Sequence, residues 1–213
     1  MGRPVLHIGN KPLSSWSLRP WLALRKAGIA FDEHMIPLDR PETRAALEAL
    51  SPGGTVPVLE TGGEVIWDSL AICEWAAERA PQIWPSDPGM RARARAVTAS
   101  MHSGFAALRR ACPMDLCRPV APVALDEATC RDIAAIQAMW AAVRIDEGPF
   151  LFGQWSIADA FFTPVAARFY HFAVPLDPAA QIYCDTLLAD ADYHDWVEAA
   201  RRENLVPPGH QHA

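Results

Sequence analysis

The 213-residue chain has no apolar stretch long enough to cross a lipid bilayer, which argues against a helical membrane protein. Its first ten residues, MGRPVLHIGN, also lack the long apolar core of a secretion signal. Leu6 occupies the position at which an N-myristoylation signal requires serine or threonine. We therefore expect a cytoplasmic protein that has no membrane partner.

Cysteine pairs are missing as well. The chain has five cysteines, an odd number, and no C-x-x-C motif. A disulfide scaffold is therefore not expected, and free, mostly buried thiols are predicted. The terminal segment GHQH supplies two histidines, which are too few to specify a metal site, so no metal is predicted.

Positive charge is limited. The net charge is −6, and the only basic cluster consists of Arg91, Arg93 and Arg95. A solvated helix face explains this cluster more simply than a nucleic-acid surface does. The sequence therefore predicts no nucleic-acid partner.

Hydrophobic residues make up 51% of the chain, which is enough for a substantial core. The first eighty residues alternate strand and helix patterns in the order β-α-β-α-β-β-α. The predicted strands are 4–8, 31–38, 56–60 and 64–67, and the predicted helices are 16–27, 41–50 and 68–79. We therefore predict an α/β domain over residues 1–80, with helices packed against a mixed four-stranded sheet.

A proline-rich segment, APQIWPSDPG, follows this region and predicts a linker over residues 81–88. Beyond it no strand pattern stands out, and the alanine-rich sequence is typical of helices. The predicted helices are 89–111, 126–146, 157–171, 179–189 and 192–203. The second predicted domain, residues 89–213, is therefore all-helical.

Four short motifs lie at points where a helix or strand begins. Three serines surround Trp16 in NKPLSSWSLRPW, where a single serine would be enough to cap the helix. Val56-Pro57 starts the third strand, and Asp68-Ser69 starts the following helix, where free N–H groups can bind a carboxylate or simply be capped. Ser156 and Asp159, in SIADAFF, have capping-box spacing and are interpreted as structural.

TVPVL before the hairpin, WDSLAICEWAAER after it and SIADAFF in the second half together resemble the soluble glutathione transferase family over nearly the whole chain. The resemblance implies a thioredoxin-like first domain and glutathione as co-substrate. It implies a cis Val56-Pro57 bond, with the Val56 backbone paired to the cysteinyl part of glutathione. Asp68 and Ser69 would hold the γ-glutamyl end, although the family usually has Glu or Gln at the position of Asp68.

The serine motif most resembles that of zeta-type members, S-S-C-S-x-R. The resemblance implies that Ser14 is the catalytic serine and that Ser15 and Trp16 lie in the glutathione site, with Trp16 in place of the usual cysteine. Ser15 and Ser17 are assigned to the turn and the helix cap. A free thiol near pKa 8.5 is mostly protonated at neutral pH, so a hydroxyl and a helix N-terminus that stabilise the thiolate would activate it.

The function predicted from this resemblance is a glutathione transferase that activates the glutathione thiol for attack on a small electrophile, with a homodimer implied. A glutathione-dependent cis–trans isomerase of the maleylacetoacetate type and a non-catalytic binding protein remain alternatives. A serine hydrolase would need a G-x-S-x-G elbow, which the sequence does not contain. Arg168 and His171 either bind an acidic substrate or form surface ion pairs, and the surface interpretation is favoured.

Overall fold

The computed structural model describes residues 2–38 and 40–203 and places a four-stranded sheet in the first part of the chain. The strands are β1 (Val5–Ile8), β2 (Asp32–Met35), β3 (Val58–Thr61) and β4 (Glu64–Ile66). Their order is β2-β1-β3-β4; β1 is parallel to β2, and the other two pairs are antiparallel. The predicted mixed sheet is therefore confirmed.

The first three helices follow the predicted order: α1 (Ser15–Lys26), α2 (Thr43–Leu50) and α3 (Ser69–Arg79). Helix α1 forms the crossover that the parallel strands β1 and β2 require. After α1 ends, Gly28 has a φ of +67°, a left-handed conformation that favours glycine. The terminal GHQH segment lies outside the described residues.

The proline-rich segment packs against the core. It contains a short 3₁₀ helix, Pro81–Ile83, and both Ile83 and Trp84 are buried. The next helix begins at Pro88, where Asp87 accepts a hydrogen bond from the Met90 N–H at 2.7 Å. Proline at the first helical position needs no partner for an N–H, so it suits this site.

The second part of the described chain is helical, with α4 (Pro88–Ser103), α5 (Ala106–Ala111), α6 (Glu127–Val143), α7 (Ile157–His171), α8 (Pro178–Leu188) and α9 (Ala191–Arg202). The prediction of one helix over 89–111 is wrong. The chain becomes extended at Gly104, and Phe105 is left-handed with a φ of +62°. A Cβ on Gly104 would lie 2.8 Å from the Ser100 carbonyl oxygen, which explains the glycine there.

Helix α7 forms the centre of the helical part and packs against α1, α4 and α8. At its start, the Ser156 N–H and hydroxyl both donate to Asp159 Oδ2, at 2.8 and 3.0 Å, so the predicted capping box is confirmed. The Tyr183 hydroxyl donates to Asp159 Oδ1 at 2.8 Å. Burial raises the pKa of Asp159 to about 6, while these hydrogen bonds oppose the rise.

All five cysteines are free, and three of them, Cys73, Cys112 and Cys184, are buried. This confirms the prediction of free, mostly buried thiols. Among the described residues, no helix combines the length and the apolar character that crossing a membrane would need.

The capping box predicts the effect of Ser156→Ala. Loss of the cap should lower the free energy of unfolding by about 1 kcal/mol, measured by denaturant titration. Ser100→Ala is the matched control, because the Ser100 hydroxyl bonds only the Ala96 carbonyl within α4, and it should change stability by less than about 0.5 kcal/mol. Equal losses in the two variants would contradict the capping role.

Candidate functional site

Ser14 caps helix α1. Its hydroxyl oxygen accepts from the Ser17 N–H at 3.3 Å, and its O–H donates to Ser17 Oγ at 2.7 Å. Ser17 Oγ also accepts from the Gly9 N–H at 3.1 Å, which ties the end of β1 to the helix. The assignment of the cap to Ser17 is therefore wrong, and Ser14 lies at the positive end of the α1 dipole.

Ser15 contacts the second half of the chain. Its hydroxyl oxygen accepts from Arg168 Nη2 at 3.2 Å, while Arg168 Nη1 points to the Cys112 carbonyl at 3.5 Å. Arg168 is only 6% exposed, so its predicted surface position is wrong. Burial, followed by the charge of Arg109, lowers the pKa of Arg168 to about 10. His171 points elsewhere, with Nδ1 3.1 Å from the Arg118 carbonyl oxygen.

Trp16 lies in a shell of cationic and aromatic groups. The Arg19 and Arg109 guanidinium carbons are 4.2 and 4.7 Å from the centre of its ring. The His102 ring meets it edge-on at 5.3 Å. Cation–π contacts of this kind fix the orientation of an indole ring.

Arg19 is almost completely buried, at 1% exposure, and its Nε and Nη1 have no hydrogen-bond partner among the residues that the structure describes. Burial lowers its pKa well below the usual value, and the charges of Arg109 and Arg168 lower it further, against the opposing effects of Cys73 and Asp68. Arg19, Arg109 and Arg168 therefore lie in one poorly solvated region, where neighbouring carboxylates neutralise little of their positive charge.

Asp68 and Ser69 begin helix α3. Asp68 Oδ1 accepts from the N–H groups of Leu70 and Ala71 at 2.9 and 3.3 Å, and Oδ2 lies 3.0 Å from His102 Nε2. The Ser69 hydroxyl is buried and has no hydrogen-bond partner within residues 2–38 and 40–203. The predicted anion-binding helix N-terminus therefore retains an unused hydroxyl, whereas the Asp68 carboxylate is already engaged.

Five of the predicted site residues meet at one cavity of about 230 Å³. It is lined by Trp16, Thr55, Val56, Pro57, Asp68, Ser69 and His102. The Val56-Pro57 bond is cis, as the sequence resemblance implied. Neither Ser14 nor Ser15 lines the cavity; both directly precede Trp16 at the start of α1. Clefts of about 520 Å³ beside the β3–β4 turn and about 450 Å³ between α7 and α9 contain none of these residues.

Sequence reasoning missed the specific contact between His102 and Asp68. His102 lies near the end of α4, and no local sequence pattern links it to the start of α3. In the described part of the chain, no three His, Cys, Asp or Glu side chains meet as a metal site would require.

Comparisons with known proteins agree with this geometry. Residues 13–79 match the family model for the glutathione S-transferase N-terminal domain. A maleylpyruvate isomerase from Ralstonia sp is 29% identical over 78% of this chain and 82% of its own length. Curated maleylacetoacetate isomerases match at 31–34% identity, but this chain spans only about half of their length.

Solved structures share the fold over most of the chain. A holo maleylpyruvate isomerase, described as a bacterial zeta-class glutathione S-transferase, superposes with a TM-score of 0.73 and 24% identity over 94% of this chain and 100% of its own. A glutathione transferase homologue from Burkholderia with bound glutathione superposes with a TM-score of 0.72 and 22% identity, over 94% of this chain and 98% of its own. The described chain therefore has the glutathione transferase fold. The match of residues 13–79 to the glutathione S-transferase N-terminal domain model agrees with the resemblance seen in the sequence.

Proposed function

We propose that this protein is a glutathione-dependent transferase that binds glutathione in the cavity between the start of α1, Val56-Pro57 and the start of α3. The observation that carries this proposal is the meeting of three distant segments, each expected from sequence to touch glutathione, at one cavity. The Burkholderia homologue of the same fold was solved with glutathione bound.

The γ-glutamyl end of glutathione carries both a carboxylate and an ammonium group. The unpartnered Ser69 hydroxyl, at the positive end of the α3 dipole, suits the carboxylate, while Asp68 Oδ1 already accepts from the Leu70 and Ala71 N–H groups. Asp68 Oδ2 accepts from the ammonium in place of His102 Nε2. The Val56 backbone pairs with the cysteinyl part, which directs the sulfur toward α1.

Thiolate formation depends on the start of α1. The Ser14 O–H turns from Ser17 Oγ to the sulfur, and the helix N-terminus adds its positive potential. The charges of Arg19 and Arg109, whose guanidinium groups lie over the Trp16 ring, act in the same direction. Lowering a thiol pKa by about two units requires roughly 2.7 kcal/mol of differential stabilisation, which a charge-assisted hydrogen bond and these fields together supply.

The second candidate function is cis–trans isomerisation of a maleyl-type diacid, and the buried arginines favour it. Arg109 and Arg168 can bind a carboxylate next to the thiolate, because little acidic charge already neutralises them. The glutathione thiolate would add to the carbon–carbon double bond of the diacid, forming a C–S bond and moving the π electrons onto the conjugated carbonyl oxygen. After rotation, elimination restores the double bond and releases glutathione unchanged. The curated relatives are named for reactions of this type.

Two further properties are proposed from the family resemblance and the thiols. A homodimer follows from the resemblance. A cytoplasmic location suits a chain whose five cysteines are all free, because disulfides persist mainly in oxidising compartments.

Glutathione should raise the melting temperature of the folded protein. At ten times its dissociation constant it should add about 1.4 kcal/mol of stability. Replacing Asp68 and Ser69 together by alanine should abolish this shift. Asp87→Ala, which removes the cap of α4, is the control that should lower stability and keep the shift. A shift that survives the double replacement would eliminate the proposed site.

Ser14→Ala should raise the pKa of the bound glutathione thiol, read from thiolate absorbance in a pH titration. Loss of a hydrogen bond to a charged sulfur predicts a rise of about one to two units and a fall of about tenfold to a hundredfold in conjugation rate at neutral pH. Ser15→Ala and Ser17→Ala should change the pKa less. If the thiol pKa changes more in Ser15→Ala than in Ser14→Ala, the catalytic serine is Ser15. If it changes in none of the three variants, the serines serve only to cap the helix.

Arg168→Met should separate the two candidate functions. With maleylpyruvate, kcat/KM should fall by about tenfold to a hundredfold, because a charge-assisted contact is lost. With the uncharged electrophile 1-chloro-2,4-dinitrobenzene, it should change much less. Arg131→Met, on an exposed part of α6, is the control. Equal losses with both electrophiles would show that Arg168 supports the thiolate site rather than an acidic substrate.

A further inference from the structure

The loop between β1 and α1 is held by the far end of the chain. The Lys11 N–H donates to both carboxylate oxygens of Glu203, at 3.1 and 3.0 Å. The Lys11 carbonyl oxygen accepts from Trp196 Nε1 at 3.0 Å, and Asn10 Nδ2 lies 3.5 Å from Glu203 Oε2. Both peptide groups of Lys11 are therefore bonded to residues in or just after α9.

The Lys11 side chain strengthens this attachment. Its Nζ lies 2.6 Å from Glu33 Oε2 and over the rings of Trp196 and Trp21, at 5.1 and 5.8 Å. The Lys11 side chain is only 12% exposed, and Trp196 is fully buried. Lys11 is therefore fixed from the sheet and from α9 at the same time.

The same loop carries Ser14. The N–H groups of Leu13 and Ser14 both donate to the Asn10 carbonyl oxygen, at 3.1 and 2.8 Å. The turn that ends at Ser14 is therefore closed on Asn10, directly beside the peptide held by Glu203. A displacement of Asn10 and Lys11 would move the Ser14 hydroxyl with them.

We propose that Glu203 and Trp196 are positioning residues that fix the loop bearing Ser14 and so the reach of its hydroxyl to the glutathione sulfur. This inference rests on the proposed function of Ser14. Docking of α9 against α1 does not require Glu203, because Arg25 and Lys26 bind Asp192 and Asp190 at 2.8 and 2.7 Å. The Glu203 contact is therefore specific to the loop.

The experiment measures the thiol pKa of bound glutathione, kcat and the KM for glutathione in Glu203→Ala, Glu203→Gln and wild type. In Glu203→Ala the Ser14 hydroxyl should shift away from the sulfur. The thiol pKa of bound glutathione should then rise by about one unit, and kcat at neutral pH should fall about tenfold. The KM for glutathione should change much less. Glu203→Gln keeps an oxygen that accepts from Lys11, so it should restore most of both values. Glu198→Ala is the control, since Glu198 pairs only with Arg201 on the exposed side of α9.

The outcomes separate the two proposals. If wild type does not lower the thiol pKa of glutathione, the function proposed for Ser14 fails. If wild type lowers it and Glu203→Ala lowers only the melting temperature, leaving the thiol pKa and rate unchanged, Glu203 is structural and the positioning role is overturned. If Glu203→Ala does not fold, Trp196→Phe, which removes one N–H donor and keeps an aromatic ring, should raise the thiol pKa in the same direction. An unchanged pKa in that variant overturns the proposal.

Discussion

The candidate site depends on the burial of the polar first turns of α1 between α3 and α7. Ser14, Ser17 and Arg19 would ordinarily be placed on the surface, yet each is at most 5% exposed. The Ser14 and Ser17 hydroxyls bond each other, and Ser17 Oγ also accepts from the Gly9 N–H after β1. These hydrogen bonds offset the cost of burying the serines. Because the start of α1 is buried, its positive potential acts inside the protein next to Trp16, which lines the cavity, and is not screened by bulk water.

The contribution of packing to folding stability does not explain why the positively charged Arg19 and Arg168 side chains are buried. Arg19 and Arg168 are desolvated, repel each other and pair with no carboxylate in the described part of the chain, an arrangement that normally destabilises a fold. Sequences depart from local consistency mainly where function requires it. An anionic ligand, first the thiolate and then an acidic electrophile, would supply the missing negative charge and explain why these arginines are kept.

The local parts of this structure could be predicted from sequence, whereas the contacts between its halves could not. The strand and helix patterns of the first eighty residues and the capping box at Ser156 depend on neighbouring residues, and the structure confirms them. The burial of Arg168 and the pairing of His102 with Asp68 depend on how α7 and α4 pack against the first part of the chain. The break at Gly104 was missed because the helical pattern continues across it, while the backbone does not.

Trp16 defines which sulfur chemistry the site can perform. The zeta-type motif has a cysteine there, and a protein thiol at that position could form mixed disulfides with glutathione. The cysteines that feel the arginine cluster do not replace it: burial raises the pKa of the Cys73 and Cys112 thiols more than Arg19 and Arg168 lower it. In the function proposed here, glutathione supplies the thiolate of this site, which favours addition and substitution reactions over thiol–disulfide exchange.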